Sequence, residues 1–161
     1  MNHNPYAPPK ANVDGLTGVE AAAPAPSARL YSSMQMAVAS FIGTPIAASW
    51  FAAANFRAFE QRRAARQILL WGLAATTLVL GIAFVLPEGT PNAVLPVAYS
   101  VGVRLIADRV FAACLKDHES RGGRRGSWWR VVGVSFLFAL GVLAVVWGVG
   151  FALFELGMVT L

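Results

Sequence analysis

The chain has 161 residues, of which 57% are hydrophobic and only 13% charged. A water-soluble domain carries about 25% charged residues, so this composition excludes an ordinary soluble globule and points to segments whose solvent is lipid. The formal net charge is +5, but the basic residues stand in short stretches beside apolar runs and form no basic recognition helix, so they indicate membrane topology and not nucleic acid.

Residues 1–33 read as a disordered N-terminal tail. Pro5, Pro8, Pro9, Pro24 and Pro26 break helices, and the stretch has too few large apolar residues to bury a core. Its charges cancel, Lys10 and Arg29 against Asp14 and Glu20. The first apolar run opens only near Met34 with no basic cluster before it, which is not the layout of an ordinary signal peptide.

The first apolar segment, 34–54, carries Ala39, Gly43 and Ala47 at four-residue spacing, a small-residue stripe that lets another backbone approach. Gly43 and Pro45 mark a break in it. Proline removes a donor and clashes with the preceding turn, so the segment is expected to be a kinked spanning helix. The alternative is a re-entrant segment whose freed backbone groups line a site. Residues 57–66 hold Arg57, Arg62, Arg63 and Arg66 against Glu60. A second apolar segment, 67–86, follows and ends in Pro87-Glu88-Gly89-Thr90-Pro91-Asn92, a turn by composition.

The third segment, 93–115, is apolar except for Arg104, Asp108 and Arg109. Arg104 and Asp108 are four apart, on one helix face, and Ser100 continues that stripe one turn earlier. A charge at the bilayer centre costs about 2.5–3.5 kcal/mol on insertion scales, so an intramembrane pair is a site by default. Two readings compete. In one, Arg104 and Asp108 neutralise each other within the bundle or across an oligomer contact. In the other, Ser100, Arg104 and Asp108 line a polar path.

Lys116–Arg130 is a basic loop containing His118, read as solvated. Trp128, Trp129 and Arg130 then anchor a fourth segment at the headgroup level. That segment, 131–154, has no charge over about 24 residues, long enough for a helix of about 36 Å to cross a hydrocarbon core of about 30 Å. It is the strongest membrane signal, and the chain is expected to be organised around it. Gly133, Gly141, Ala144, Gly148 and Ala152 fall near one of its faces, a second close-packing surface.

The expected architecture is an all-α membrane protein, four transmembrane helices in a small bundle behind the tail. Both basic loops, 57–66 and 116–130, should face the cytoplasm and the C-terminus the other side, because cytoplasmic loops carry the excess of Lys and Arg. The N-terminal side depends on whether the first segment crosses or turns back. The lone Cys114 allows no internal disulfide, and no catalytic set, cofactor motif or metal-ligand spacing is present.

Asn4-Pro5-Tyr6-Ala7-Pro8-Pro9-Lys10 resembles the NPYxPP-type tail of small multi-pass bacterial inner-membrane proteins of uncharacterised function. Phe41-Ile42-Gly43-Thr44-Pro45-Ile46-Ala47 with Asn55-Phe56-Arg57, and Gly122-Gly123 followed by Ser127-Trp128-Trp129-Arg130, are similar to segments of the same proteins. That pattern often has two glycines before the proline, where this chain has Gly43-Thr44. The resemblance implies a bacterial inner membrane and assigns no activity or functional residue. The lack of a catalytic set and the small-residue faces lead instead to the expectation of a non-enzymatic interaction or accessory subunit in the lipid bilayer, forming a homo-oligomer or binding a partner membrane protein. A small transporter or channel subunit is the alternative.

Overall fold

The structure is a computed structural model that describes residues 24, 27–87, 89–91 and 93–157. Most of the expected tail therefore lies outside the described residues. Four long helices make up the fold: α1 (Ser33–Ala58), α2 (Arg62–Val85), α3 (Val94–Ser120) and α4 (Trp128–Glu155). Two short strands, β1 (Arg29–Leu30) and β2 (Arg124–Arg125), pair in parallel. By length and composition, α1, α2 and α4 are apolar enough to cross a membrane. The 27-residue α3 is as long, but Arg104, Asp108 and Arg109 reduce its apolarity.

The expectation of a simply kinked first helix is overturned by where its ends lie. Tyr31 N–H donates to Asn55 Oδ1 at 2.8 Å, and Asn55 Nδ2 donates back to the Tyr31 carbonyl at 2.8 Å. The Tyr31 and Phe51 rings are 4.7 Å apart. A straight helix would separate residues 31 and 55 by about 36 Å. The chain instead reverses between them, and α1 is a hairpin of two antiparallel helical arms, 33–42 and 45–58.

Local chemistry fixes the reversal. Gly43 (φ −113°, ψ 19°) and Thr44 (φ 66°, ψ 173°) leave the helical region. Pro45 cannot donate to a preceding turn and drives the residue before it out of the α region, so one arm ends there and the second starts on the proline, whose fixed φ suits a first helical position. The first arm is capped by Ser32: its Oγ accepts from Gln35 N–H at 3.2 Å, and Gln35 Oε1 accepts from Ser32 N–H at 2.9 Å.

This hairpin is the centre of the molecule. Helices α2, α3 and α4 each pack against α1 and scarcely against one another. The helix expected to organise the chain, α4, is peripheral, and the hub is the least regular of the four. Close approach explains how. A side-chain carbon at Gly72 of α2 would collide with Ser49, and one at Gly43 would collide with the Ser135 carbonyl of α4. Small residues at these points let the neighbouring backbones reach the hairpin.

Residues 29–33, assigned to the tail by composition, belong to the fold. Leu30 and Tyr31 are buried in the core cluster, Leu30 C=O accepts from Gly126 N–H at 2.8 Å, and Gln35 Nε2 donates to Gly126 C=O at 2.7 Å. His118 is likewise buried and not solvated, with Nε2 at 3.1 Å from the Ala28 carbonyl. Both ends of α1, the start of α2, the end of α3 and the start of α4 thus meet at one end of the molecule, here called the base.

Candidate functional site

Two polar regions occupy the hairpin. At the base, the side-chain amides of Asn55 and Gln35 satisfy backbone groups of the connecting segments. Asn55 is fully buried. A buried amide with its partners matched is stabilising, and the same amide with partners removed is costly. This is a structural clamp, and it holds the hairpin's open end shut. On the outer surface of the base, Arg125 Nη2 donates to Glu119 Oε2 at 2.7 Å and its Nε reaches Oε1 of the same carboxylate. The fork lowers the Glu119 pKa below the usual glutamate value, and the carboxylate in turn raises that of Arg125.

The second region is the reversal itself. Breaking the helix frees backbone groups that a continuous helix would pair. Ile46 N–H finds Thr76 Oγ1 of α2 at 3.0 Å, and that hydroxyl donates to Gly72 C=O at 2.8 Å. Thr77 likewise donates to its own helix, to Leu73 C=O at 3.1 Å; the link from Thr76 to α1 depends on the fold. Four hydroxyls, Ser40, Thr44, Ser100 and Ser135, are buried without a hydrogen-bond partner among the described residues. Ser40 and Thr44 flank Gly43, against which the Ser135 carbonyl packs. An unpaired buried hydroxyl costs about 1–3 kcal/mol, so the break is a polar weak point in the packing.

The stripe on α3 divides. Arg104 Nε is 3.8 Å from Asp108 Oδ2, and both side chains are about half exposed. Asp108 also accepts from the Ser33 hydroxyl in the first turn of α1, where a carboxylate is favoured by the helix N-terminus. Asp108 therefore ties α3 to the base end of the hairpin. Ser100 is buried, one turn beyond Val103, which lines the same cleft as Pro45 and Ala48. The three residues do not form one site: Arg104 and Asp108 make a surface pair, while Ser100 lies deeper along α3.

Gly43 and Pro45 do bracket the backbone break, with Thr44 between them as the most strained residue. Trp128 and Trp129 stand exposed in the first turn of α4 with Arg130, in the positions an interfacial anchor requires. Asn55, Gln35 and Ser135 are the site residues that sequence reasoning missed. Asn55 and Gln35 sit at the ends of an Ala-rich apolar run, where a polar amide marks a helix end; that was the only signal available.

No protein-family model, curated protein or solved structure matches this chain.

Proposed function

We propose that this is a non-enzymatic integral membrane protein that works as an interaction or accessory subunit, associating within the bilayer with a second copy or with another membrane protein. The observation that carries it is the state of the helices beyond the hairpin. The hairpin ends at Thr44, so it reaches about half the length of its neighbours. Beyond it α2, α3 and α4 have no common core, and Leu78, Phe84, Val97, Trp147 and Phe151 are exposed. Gly133, Gly141 and Gly148 on α4 meet nothing within 4 Å. Lipid covers large apolar side chains at no cost, but a face of glycines gains by admitting another backbone.

The same geometry supports a topology of three spans, α2, α3 and α4, around a re-entrant α1. Arg57, Arg62, Arg63, Arg66, Lys116, Arg121, Arg124, Arg125 and Arg130 then all lie on the base side, which the excess of basic residues makes cytoplasmic, in a bacterial inner membrane. Residues 27–33 join the base and so lie on the cytoplasmic side, while the end of α4 lies on the periplasmic side.

A second reading, a small transporter or channel subunit, is favoured by one observation: a helix broken part-way through the molecule with unpartnered hydroxyls beside the break. The site would be Ser40, Thr44 and Ser135, not the stripe on α3.

One experiment separates the two. Single cysteines placed at positions 141, 148 and 152 in a Cys114→Ser background are oxidised in native membranes. A discrete crosslinked species from this face, with no ion flux from protein-loaded liposomes, is the expected result. Monomer at all three positions together with flux abolished by Ser135→Val would replace it with the transporter reading.

A further inference from the structure

Because α2 and α4 pack on α1 without meeting each other, a groove of about 820 Å3 opens between them. Its floor is the second arm of the hairpin, with Trp50 and Ala54; Leu73 and Thr77 form one wall, and Phe138, Gly141 and Val145 the other. The Trp50 and Phe138 rings lie 5.9 Å apart. The lining is almost wholly apolar except for Arg57 and Arg130.

These two arginines share one end of it. Arg57 is two turns from Trp50 toward the base, and Arg130 is two turns from Phe138 in the same direction, because the second arm and α4 run antiparallel. The Arg57 guanidinium carbon is 5.3 Å from the Trp50 ring centroid, a cation–π contact that holds the charge over the groove. Neither arginine has a carboxylate partner among the described residues. Arg57 also lines an adjoining polar recess of about 390 Å3 with Arg62 and Arg66.

An apolar groove ending in two guanidinium groups without a carboxylate partner among the described residues, beside a recess with two more, matches one amphiphile. We infer that the α2–α4 groove holds an acyl chain of an anionic glycerophospholipid, with the headgroup phosphate between Arg57 and Arg130 and its remaining polar groups toward Arg62 and Arg66. Arginine forks suit phosphate oxygens, and basic pockets between helices at the cytoplasmic surface recognise anionic headgroups. Gly141 keeps the groove deep: a side chain there would project into open space. This site does not use the helix break; it shares Gly141 with the glycine face of α4 but not Gly133 or Gly148.

The test is native mass spectrometry of the full chain released from micelles holding equal amounts of phosphatidylglycerol and phosphatidylcholine with identical chains. Retention of phosphatidylglycerol over phosphatidylcholine on the order of tenfold is expected for two arginines near the phosphate. R57Q/R130Q should remove the preference, R109Q on α3 should keep it, and G141F should lower retention of phosphatidylglycerol with all arginines present. Equal retention of the two lipids by the native chain overturns the inference. So does full retention in G141F, which would mean a surface headgroup contact with no chain in the groove, or displacement by glycerol 3-phosphate as effective as by the lipid. A lipid-free dimer protected at Trp50 would assign the groove to a second copy instead. If the double variant does not fold, the native protein still decides: brominated phosphatidylglycerol should quench the Trp50 fluorescence, taken as the difference from Trp50→Phe, more strongly than brominated phosphatidylcholine, and equal quenching counts against the site.

Discussion

Helices α1 and α4 hold nearly equal numbers of residues, 26 and 28, and both pass as membrane spans by length and composition alone, although α1 is folded back on itself. Yet 61% of the apolar window of α1 is buried inside the protein, against 0% for α4. The more hydrophobic helix is the more exposed one. In water this would be inverted. In lipid, burying a leucine gains little, because the hydrocarbon tails are as apolar as the leucine. What gains is close packing and the pairing of backbone polar groups that lipid cannot satisfy. Helix α1 is accordingly built from Ala, Ser and Gly, with a break that exposes polar backbone needing partners. Helix α4 presents Trp, Phe, Leu and Val, which lipid solvates well. Apolarity along this chain measures compatibility with the bilayer, and close approach with backbone pairing decides where the core sits.

That contrast can be broken at several points. The largest effect is expected at the base clamp. Asn55→Leu strands the Tyr31 N–H and C=O, a loss of about 2–5 kcal/mol for two buried backbone groups. A change on the lipid side of α4, such as Leu143→Ala, should stay within about 0.5 kcal/mol. Unfolding in mixed micelles with increasing dodecyl sulfate would measure both, and equal effects would mean the hairpin is not the hub. A smaller contrast compares glycines. Gly43→Ala puts a methyl group against the Ser135 carbonyl and Ala47 and should cost about 1–3 kcal/mol by overpacking. Gly148→Ala has open space and should be neutral or slightly stabilising in the same titration, since alanine is the better helix former. The smallest effect is the most specific to the reversal. Thr44 holds φ 66°, a left-handed conformation that costs a β-branched residue about 1–3 kcal/mol. Thr44→Gly should therefore raise stability by about 1 kcal/mol, less than the full strain because glycine also gains freedom in the unfolded chain. A loss of stability on that substitution would show that the Thr44 side chain matters more than its backbone.

The pair on α3 gives a second lesson of the same kind. The spacing of Arg104 and Asp108 is enough to predict that they meet, and they do. The spacing says nothing of a third partner. Ser33 on α1 also donates to Asp108, which ties the two helices together. His118 shows the opposite error: its charged neighbours Lys116, Asp117 and Glu119 suggest a solvated loop, but helix periodicity turns it inward toward Ala28 while they stay nearer the surface.

By itself the sequence determined the solvent, the helices to within a few residues, the place of the break at Gly43-Thr44-Pro45, and the basic stretches that the fold collects at one end. Each of these follows from local quantities: apolar run length, backbone restrictions at proline and glycine, and charge between segments. The tertiary structure alone decided that the chain reverses at the break, that α1 and not α4 is the centre, that Asn55 closes the hairpin, and that a groove remains between α2 and α4. These rest on contacts between residues 24 or more positions apart, from Tyr31 with Asn55 to Ala28 with His118. A proline at a break permits either a bend or a reversal, and only the partners waiting at the far end select between them.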